Sequence, residues 1–227
     1  MIGTEAIGPH PDRHQPAMAP FLTYVLLCHL AWACWPYFGY PRVVAVGDRT
    51  LEYALLNIGI RLVVWVLPVW LYLRFVDGVE PFDYLKLRQH VARGLVIAIV
   101  LTTLNLLGSM LRFGLPHPTM QRVTWNSILG TSILVGVFEE VPFRGFMLQK
   151  LQERFDFATS TIISSALFVG AHVPGWIMLG SLTAHNVMYV FAFGAVMAIV
   201  LRYTRSLWAP IITHSLNDCL SFVIFHI

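Results

Sequence analysis

Apolar residues run along this chain in blocks of about twenty, separated by short clusters of proline, glycine and charged residues, and that spacing sets the first expectation. A helix needs roughly 20 predominantly apolar residues to cross a bilayer. Seven stretches meet this, at about 18–39, 53–75, 91–112, 126–148, 158–178, 185–204 and 207–226. The fifth and sixth are the most clearly bounded, because no Asp, Glu, Lys or Arg occurs between Asp156 and Arg202 and only Gly175 to Ala184 offers a turn. The pattern predicts an all-α protein, a polytopic membrane helical bundle of about seven transmembrane helices. Residues 1–17 are expected to form a short disordered tail, rich in Pro and His, and 18–227 a single transmembrane domain without internal repeats. The first apolar run is too long for the core of a signal peptide.

Two interruptions of the pattern stand out early. Arg61 and Pro68 fall inside the second stretch, which predicts a helix that is either kinked and partly buried or has Arg61 snorkelling to a headgroup; Arg61 is read as structural. Between the second and third stretches, Pro81 to Arg88 mixes apolar and charged residues over a length too short to span, the pattern of an interfacial segment. Trp176, Tyr189 and Trp208 either line a pocket or mark the membrane interface, and the interface reading is favoured.

Composition agrees that lipid is the solvent. Of the 227 residues, 57% are hydrophobic and 12% charged, where soluble domains carry about 25% charged residues. The net charge of +3 is scattered through the loops with no basic block, so a nucleic-acid partner is excluded and the lipid bilayer is the expected surrounding. Lys and Arg in loops report orientation instead. One set of alternate loops carries nine (Arg13, Arg74, Lys86, Arg88, Arg93, Lys150, Arg154, Arg202, Arg205) and the other four (Arg42, Arg49, Arg112, Arg122), which predicts a cytoplasmic N-terminus. Cys28, Cys34 and Cys219 lie in apolar runs with no metal or redox spacing and are expected to be packing residues.

Three polar clusters sit at membrane depth. The run Phe138-Glu139-Glu140-Val141-Pro142-Phe143-Arg144-Gly145 sets three charges in one apolar stretch, and each costs at least ~2.5–3.5 kcal/mol at a helix centre. Glu140 and Arg144 are four apart and share a face, whereas Glu139 is turned about 100° away; the pairing predicted is Arg144 with Glu140, leaving Glu139 free to act. Pro142 removes a helical hydrogen bond and predicts a kink at the carboxylates. The second cluster is Phe168 to His172, again an i, i+4 pair; alone, His172 fits a packing residue, and beside Glu139 it fits a catalyst. The third is His214 to Asp218, where Asp218 either orients the imidazole or works with it to hold a polarised oxygen.

A carboxylate beside an imidazole in a desolvated pocket suits proton abstraction from water, and nearby donors suit the oxyanion that forms when that water attacks a carbonyl. The reaction class is acyl-bond hydrolysis within the membrane. A serine or cysteine route has candidates in Ser164, Ser165, Ser215 and Cys219 but no GxSxG elbow. A metal route has Glu139, His172 and His214 as a permissible zinc set, without an HExxH motif.

These residues resemble a family. Glu139-Glu140-Val141-Pro142-Phe143-Arg144-Gly145 is similar to the EExxxR motif of the CAAX protease and bacteriocin-processing (CPBP) family of intramembrane proteases, Phe168 to His172 to its FxxxH motif, and His214 to Asp218 to its HxxxN/D motif, in the family's order. The resemblance is specific over about 126–222. It implies an intramembrane endopeptidase in which Glu139 activates water with help from His172, His214 and Asp218 stabilise the oxyanion, and Glu140, Arg144 and Phe168 support them. It implies a membrane-embedded or lipid-proximal peptide as substrate, no cofactor in the glutamate mechanism that the residues favour, zinc on Glu139, His172 and His214 in the older metalloprotease view, and a bacterial inner membrane as the setting. Asp218 stands where the eukaryotic prenyl-protein branch has Asn, which favours an orienting role for the carboxylate. A non-catalytic scaffold or bacteriocin self-immunity protein on the same fold, and a proton-coupled carrier, are the rival readings.

Overall fold

The computed structural model describes residues 18–115 and 123–221, and among these every regular element is helical. The expected tail at 1–17 and the last residues of the predicted seventh span lie outside the described residues. Five of the seven expected spans are helices long and apolar enough to cross a bilayer: Met18–Phe38, Leu51–Val76, Val91–Phe113, Phe157–Leu179 and Ala184–Thr204. The described parts of the other two, at 127–152 and 208–221, are shorter pieces that carry two of the three polar motifs.

Chain order gives α1 (Met18–Phe38), α2 (Tyr40–Val44), α3 (Leu51–Arg61), α4 (Leu67–Leu71), α5 (Pro81–Tyr84), α6 (Val91–Phe113), α7 (Val135–Glu140), α8 (Gln149–Gln152), α9 (Phe157–Leu179), α10 (Ala184–Thr204) and α11 (Trp208–Asp218). Wider π-helical stretches continue α3 at Leu62–Val66 and α4 at Tyr72–Val76, precede α7 at Ser127–Ile133, and join α7 to α8 at Val141–Leu148. The interruption expected at Pro142 therefore takes the form of a π segment that begins one residue earlier. A proline that cannot donate to the preceding turn favours such local rewinding, and π turns recur at functional sites.

Helix ends follow capping chemistry. Thr50, Asp156 and Thr183 sit in extended conformation before α3, α9 and α10, and each accepts a hydrogen bond from the backbone N–H three residues on. Gly180, at φ 64°, closes α9 in the left-handed conformation that glycine adopts without penalty.

At one end of the bundle, contacts tie the predicted interfacial segment to the motif helices. Lys150 Nζ donates to Asp77 at 3.1 Å and Glu153 at 2.8 Å, and Tyr84 donates to Glu153 at 3.0 Å. Trp208 Nε1 donates to the Leu87 carbonyl at 2.8 Å. Across the bundle, α1 is fixed to α9 by Trp32 Nε1 donating to the Ala171 carbonyl at 2.9 Å, with His29 Nε2 3.0 Å from the Leu167 carbonyl. The core is aromatic: Phe21, Tyr24, Tyr72, Phe143, Phe146 and Phe168 pack around the Val141–Leu148 segment, all eight residues of which are buried.

Close approach of α7 and α11 builds the site. A methyl group on Gly136 would collide with the Ile211 carbonyl and Ser215 Oγ of α11, so only glycine allows this spacing. Gly136 N–H donates to Ser215 Oγ at 3.2 Å, and the same hydroxyl donates to the Ile133 carbonyl at 3.0 Å. Ser215, a sequence candidate for a nucleophile, is thus committed to the joint between the helices.

Candidate active site

The buried half of the site is the Glu140–Arg144 pair, joined at 3.3 Å with side-chain exposures of 0% and 1%. The predicted i, i+4 pairing is present. Arg144 also lies over the Phe168 ring, 4.0 Å from its centroid, and fits where Gly194 of α10 leaves room: a Cβ there would come within 2.8 Å of its Nη2. This explains the position of Phe168 in the motif as the aromatic face that covers a buried guanidinium.

Glu140 has a second partner that sequence spacing did not disclose. His214 Nδ1 donates to its Oε1 at 2.6 Å, so a carboxylate on α7 fixes the imidazole of α11. Asp218, one turn along from His214, stands 3.9 Å from its Nε2 and does not make the orienting bond. Of the two roles left open for Asp218, ring orientation belongs to Glu140. Asp218 is itself held by Asn217 Nδ2 at 3.2 Å, and Asn217 accepts from Asn105 Nδ2 of α6 at 2.8 Å. Asn105 has no motif around it, and only its place in an apolar run marks it.

Glu139 occupies the centre. Its Oε2 is 3.8 Å from His172 Nε2 and 3.7 Å from His214 Nε2. His172 Nδ1 is 2.8 Å from the Phe168 carbonyl and donates to it, which turns Nε2 toward Glu139. The two histidines therefore present the same ring nitrogen to one carboxylate, each with its Nδ1 spent on a fixed acceptor. Glu139 and His172 retain 22% and 28% side-chain exposure while His214 has 5%, so the first two face open space. All four residues expected to be catalytic, Glu139, His172, His214 and Asp218, converge here.

Two cavities meet at this point. One, of about 430 Å³, is lined by Glu139, His172, Trp176 and Asp218 together with residues of α1, α3 and the segment before α7. The other, of about 590 Å³, shares those four residues and is lined further by Phe193, Tyr189 and His214 among others. Trp176 and Tyr189, expected as interface markers, line these cavities. Aromatic rings shield the imidazoles: Phe168 and Trp176 lie 4.7 and 5.5 Å from the His172 ring, and Phe193 lies 4.7 Å from the His214 ring.

Glu139, His172 and His214 are the residues a zinc ion would use by donor type. As the side chains stand, no three His, Cys, Asp or Glu groups among the described residues are arranged to share one ion.

The fold and the site define an integral membrane protein with an acid–imidazole centre in the core of a helical bundle. Residues 121–220, the segment that carries all three motifs, match the family model described as type II CAAX prenyl endopeptidase Rce1-like, and this match supports a place in the CPBP (CAAX protease) family. No curated protein and no solved structure matches the chain. The family relationship supports endopeptidase activity near the bilayer, and residues 1–120 lie outside the matched segment.

Proposed function

We propose that this protein is a metal-independent intramembrane endopeptidase in which Glu139, assisted by His172, removes a proton from water while His214 and Asp218 stabilise the oxyanion. The observation that carries the reading is the position of Glu139 Oε2 between His172 Nε2 at 3.8 Å and His214 Nε2 at 3.7 Å. These gaps are too long for direct hydrogen bonds and suit a water lying about 2.8 Å from both the carboxylate and an imidazole nitrogen. In the proposed reaction, Glu139 and His172 take one proton from that water and its oxygen attacks the peptide carbonyl. His214, held as an imidazolium with Nδ1–H on the Glu140 carboxylate, donates from Nε2–H to the oxyanion. The proton then returns to the amine as the C–N bond breaks.

Glu140, Arg144 and Phe168 act in this reading as positioning residues. Neither the serine route nor a metal is needed, and activity is expected to survive chelation. The substrate proposed is a membrane-embedded or lipid-proximal peptide.

We also propose a bacterial inner-membrane setting with the N-terminus in the cytoplasm. Among the described loops and helix ends, Arg74, Lys86, Arg88, Arg93, Lys150, Arg154, Arg202 and Arg205 lie at the end held by the Lys150 and Trp208 contacts, against Arg42, Arg49 and Arg112 at the other. The positive-inside bias makes the first end cytoplasmic. Both cavities are lined from the second end, by Trp35 and Leu179 in one case and Phe113 and His185 in the other, so the scissile bond is reached from the extracytoplasmic side.

The experiment is cleavage of a membrane peptide by purified protein, with Glu139→Gln, His172→Ala and His214→Ala each expected to abolish it while the variants remain folded.

A further inference from the structure

Arg61 is the cation that the proposed mechanism leaves without a task. It lies in a membrane-spanning segment, half-buried, and among the described residues no carboxylate stands within ion-pair distance of it. The guanidinium lies 5.8 Å from the centroid of the Phe138 ring and is close enough to Glu139 and Asp218 to act on both electrostatically. Arg144, by contrast, is paired at 3.3 Å with Glu140 and has a side-chain exposure of 1%. A cation at membrane depth costs at least ~2.5–3.5 kcal/mol, and such residues face a partner or a wet path. Arg61 faces the path: it lines the 430 Å³ cavity that also holds Glu139 and Asp218.

Its neighbours are arranged along the same line. Tyr53, Asn57, Arg61 and Trp65 recur every four residues from α3 into the π segment that follows, and all four line that cavity. Four-residue spacing stacks side chains on one helix face, so this helix presents an aromatic, an amide, a cation and a second aromatic to the cavity beside the proposed base. Asn57 Nδ2 is spent on the Tyr53 carbonyl at 3.0 Å, which leaves Arg61 as the strong donor of the stripe. Trp32 and Trp35 of α1 complete an apolar wall. All of these residues lie outside the segment 121–220 that matches the family model, whereas Glu139, His172, His214 and Asp218 lie inside it.

We infer that Arg61 and the aromatic wall around it form a binding subsite for a carboxylate carried on an apolar stretch of the substrate peptide, held beside Glu139. This inference rests on the endopeptidase reading for the meaning of the bound peptide and not for its binding. Charge complementarity supplies the argument: Glu139 and Asp218 repel an anion in this cavity, and Arg61 is the guanidinium in its lining that attracts one. Guanidinium donors suit carboxylate recognition because the planar fork matches two oxygens at once. The carboxylate is either the peptide's terminus or an Asp or Glu side chain, and the two sources are separable.

The test uses the full chain in nanodiscs with the Glu139→Gln substitution, so that no probe is cleaved, and reads tryptophan fluorescence from the cavity wall. The probes are acetyl-Phe-Leu-Leu as free acid and as C-terminal amide, and acetyl-Leu-Glu-Leu-amide beside acetyl-Leu-Gln-Leu-amide. At least one anionic probe is expected to bind tenfold or more tightly than its neutral partner; the first pair reports a terminal carboxylate and the second a side chain. Arg61→Gln is expected to erase the preference and Arg61→Lys to retain part of it. Equal binding within both pairs, which needs no Arg61 variant, would overturn the inference, as would a preference that survives Arg61→Gln. Tighter Arg61-dependent binding of dodecyl phosphate than of the anionic peptides would overturn it in favour of a lipid headgroup site. Because binding is read without turnover, failure here leaves the cleavage test untouched, and failure of cleavage leaves this one readable.

Discussion

His214 Nδ1 donates to Glu140 Oε1 at 2.6 Å, a bond that joins α11 to α7 across 74 residues of chain. The same oxygen receives Arg144 at 3.3 Å. Glu140 is thus the counter-ion of one residue and the orienting acceptor of another, and these two duties separate experimentally.

Glu140→Leu is expected to destabilise the protein by about 3–5 kcal/mol, because Arg144 is then left buried and unpaired. The double variant Glu140→Leu with Arg144→Leu replaces the ion pair by an apolar one and is expected to recover most of that stability. It is expected to remain inactive, since His214 has lost the acceptor that aims its ring. Thermal unfolding in detergent alongside a cleavage assay reads both effects; a double variant that regains activity would show that the Glu140–His214 bond is dispensable.

Gly136→Ala tests the spacing of α7 and α11. The added methyl meets the Ile211 carbonyl and Ser215 Oγ, and overpacking of this kind costs roughly 1–3 kcal/mol. Activity is expected to fall further than stability, because the shift moves His214 relative to Glu139 and Glu140. Normal turnover by a folded Gly136→Ala protein would contradict that geometry.

Asp156 supplies a pH-dependent contribution outside the membrane. Hydrogen bonds from the Thr159 backbone and then the Thr159 hydroxyl hold its carboxyl below the usual range. A depressed carboxyl stabilises the fold above its unfolded value, about 3.9, and that contribution is lost as pH falls through the lower folded value. The thermal midpoint is therefore expected to decline below about pH 4, and Asp156→Ala to flatten that limb while lowering the midpoint at neutral pH. An unchanged acid limb in the variant would assign the decline to other carboxyls.

Topology is tested by single cysteines in a background lacking Cys28, Cys34 and Cys219. Leu182→Cys, near the cavity end, is expected to react with a membrane-impermeant maleimide in spheroplasts, and Gln152→Cys only after permeabilisation. The reverse pattern would turn the cavities toward the cytoplasm.

Much of this was legible in the sequence because helical spacing acts over four residues. The Glu140–Arg144 pair and the divergence of Glu139 from it follow from i, i+4 geometry, and the resemblance of the three motifs implied a shared site for Glu139, His172, His214 and Asp218. Contacts between helices were hidden, since nothing local links Glu140 to His214 or Asn105 to Asn217. The kink expected at Pro142 takes the form of π segments on both sides of α7. Apolar content predicts burial in lipid, whereas 127–152 is made of short pieces packed among the other helices; of 207–226, the described residues include α11. Arg61 was read as structural because one charge in an apolar run carries no partner information; the four-residue stripe from Tyr53 to Trp65 was present in the sequence and gains meaning from the cavity that it lines.

The most direct measurement of the central claim is cleavage of a membrane peptide by the purified protein in nanodiscs, with wild type and Glu139→Gln compared by mass spectrometry in the presence of a chelator. Glutamine keeps the shape of the side chain and removes the base. The account predicts chelator-resistant cleavage by the wild type and none by a folded Glu139→Gln variant; undiminished cleavage by that variant would contradict it.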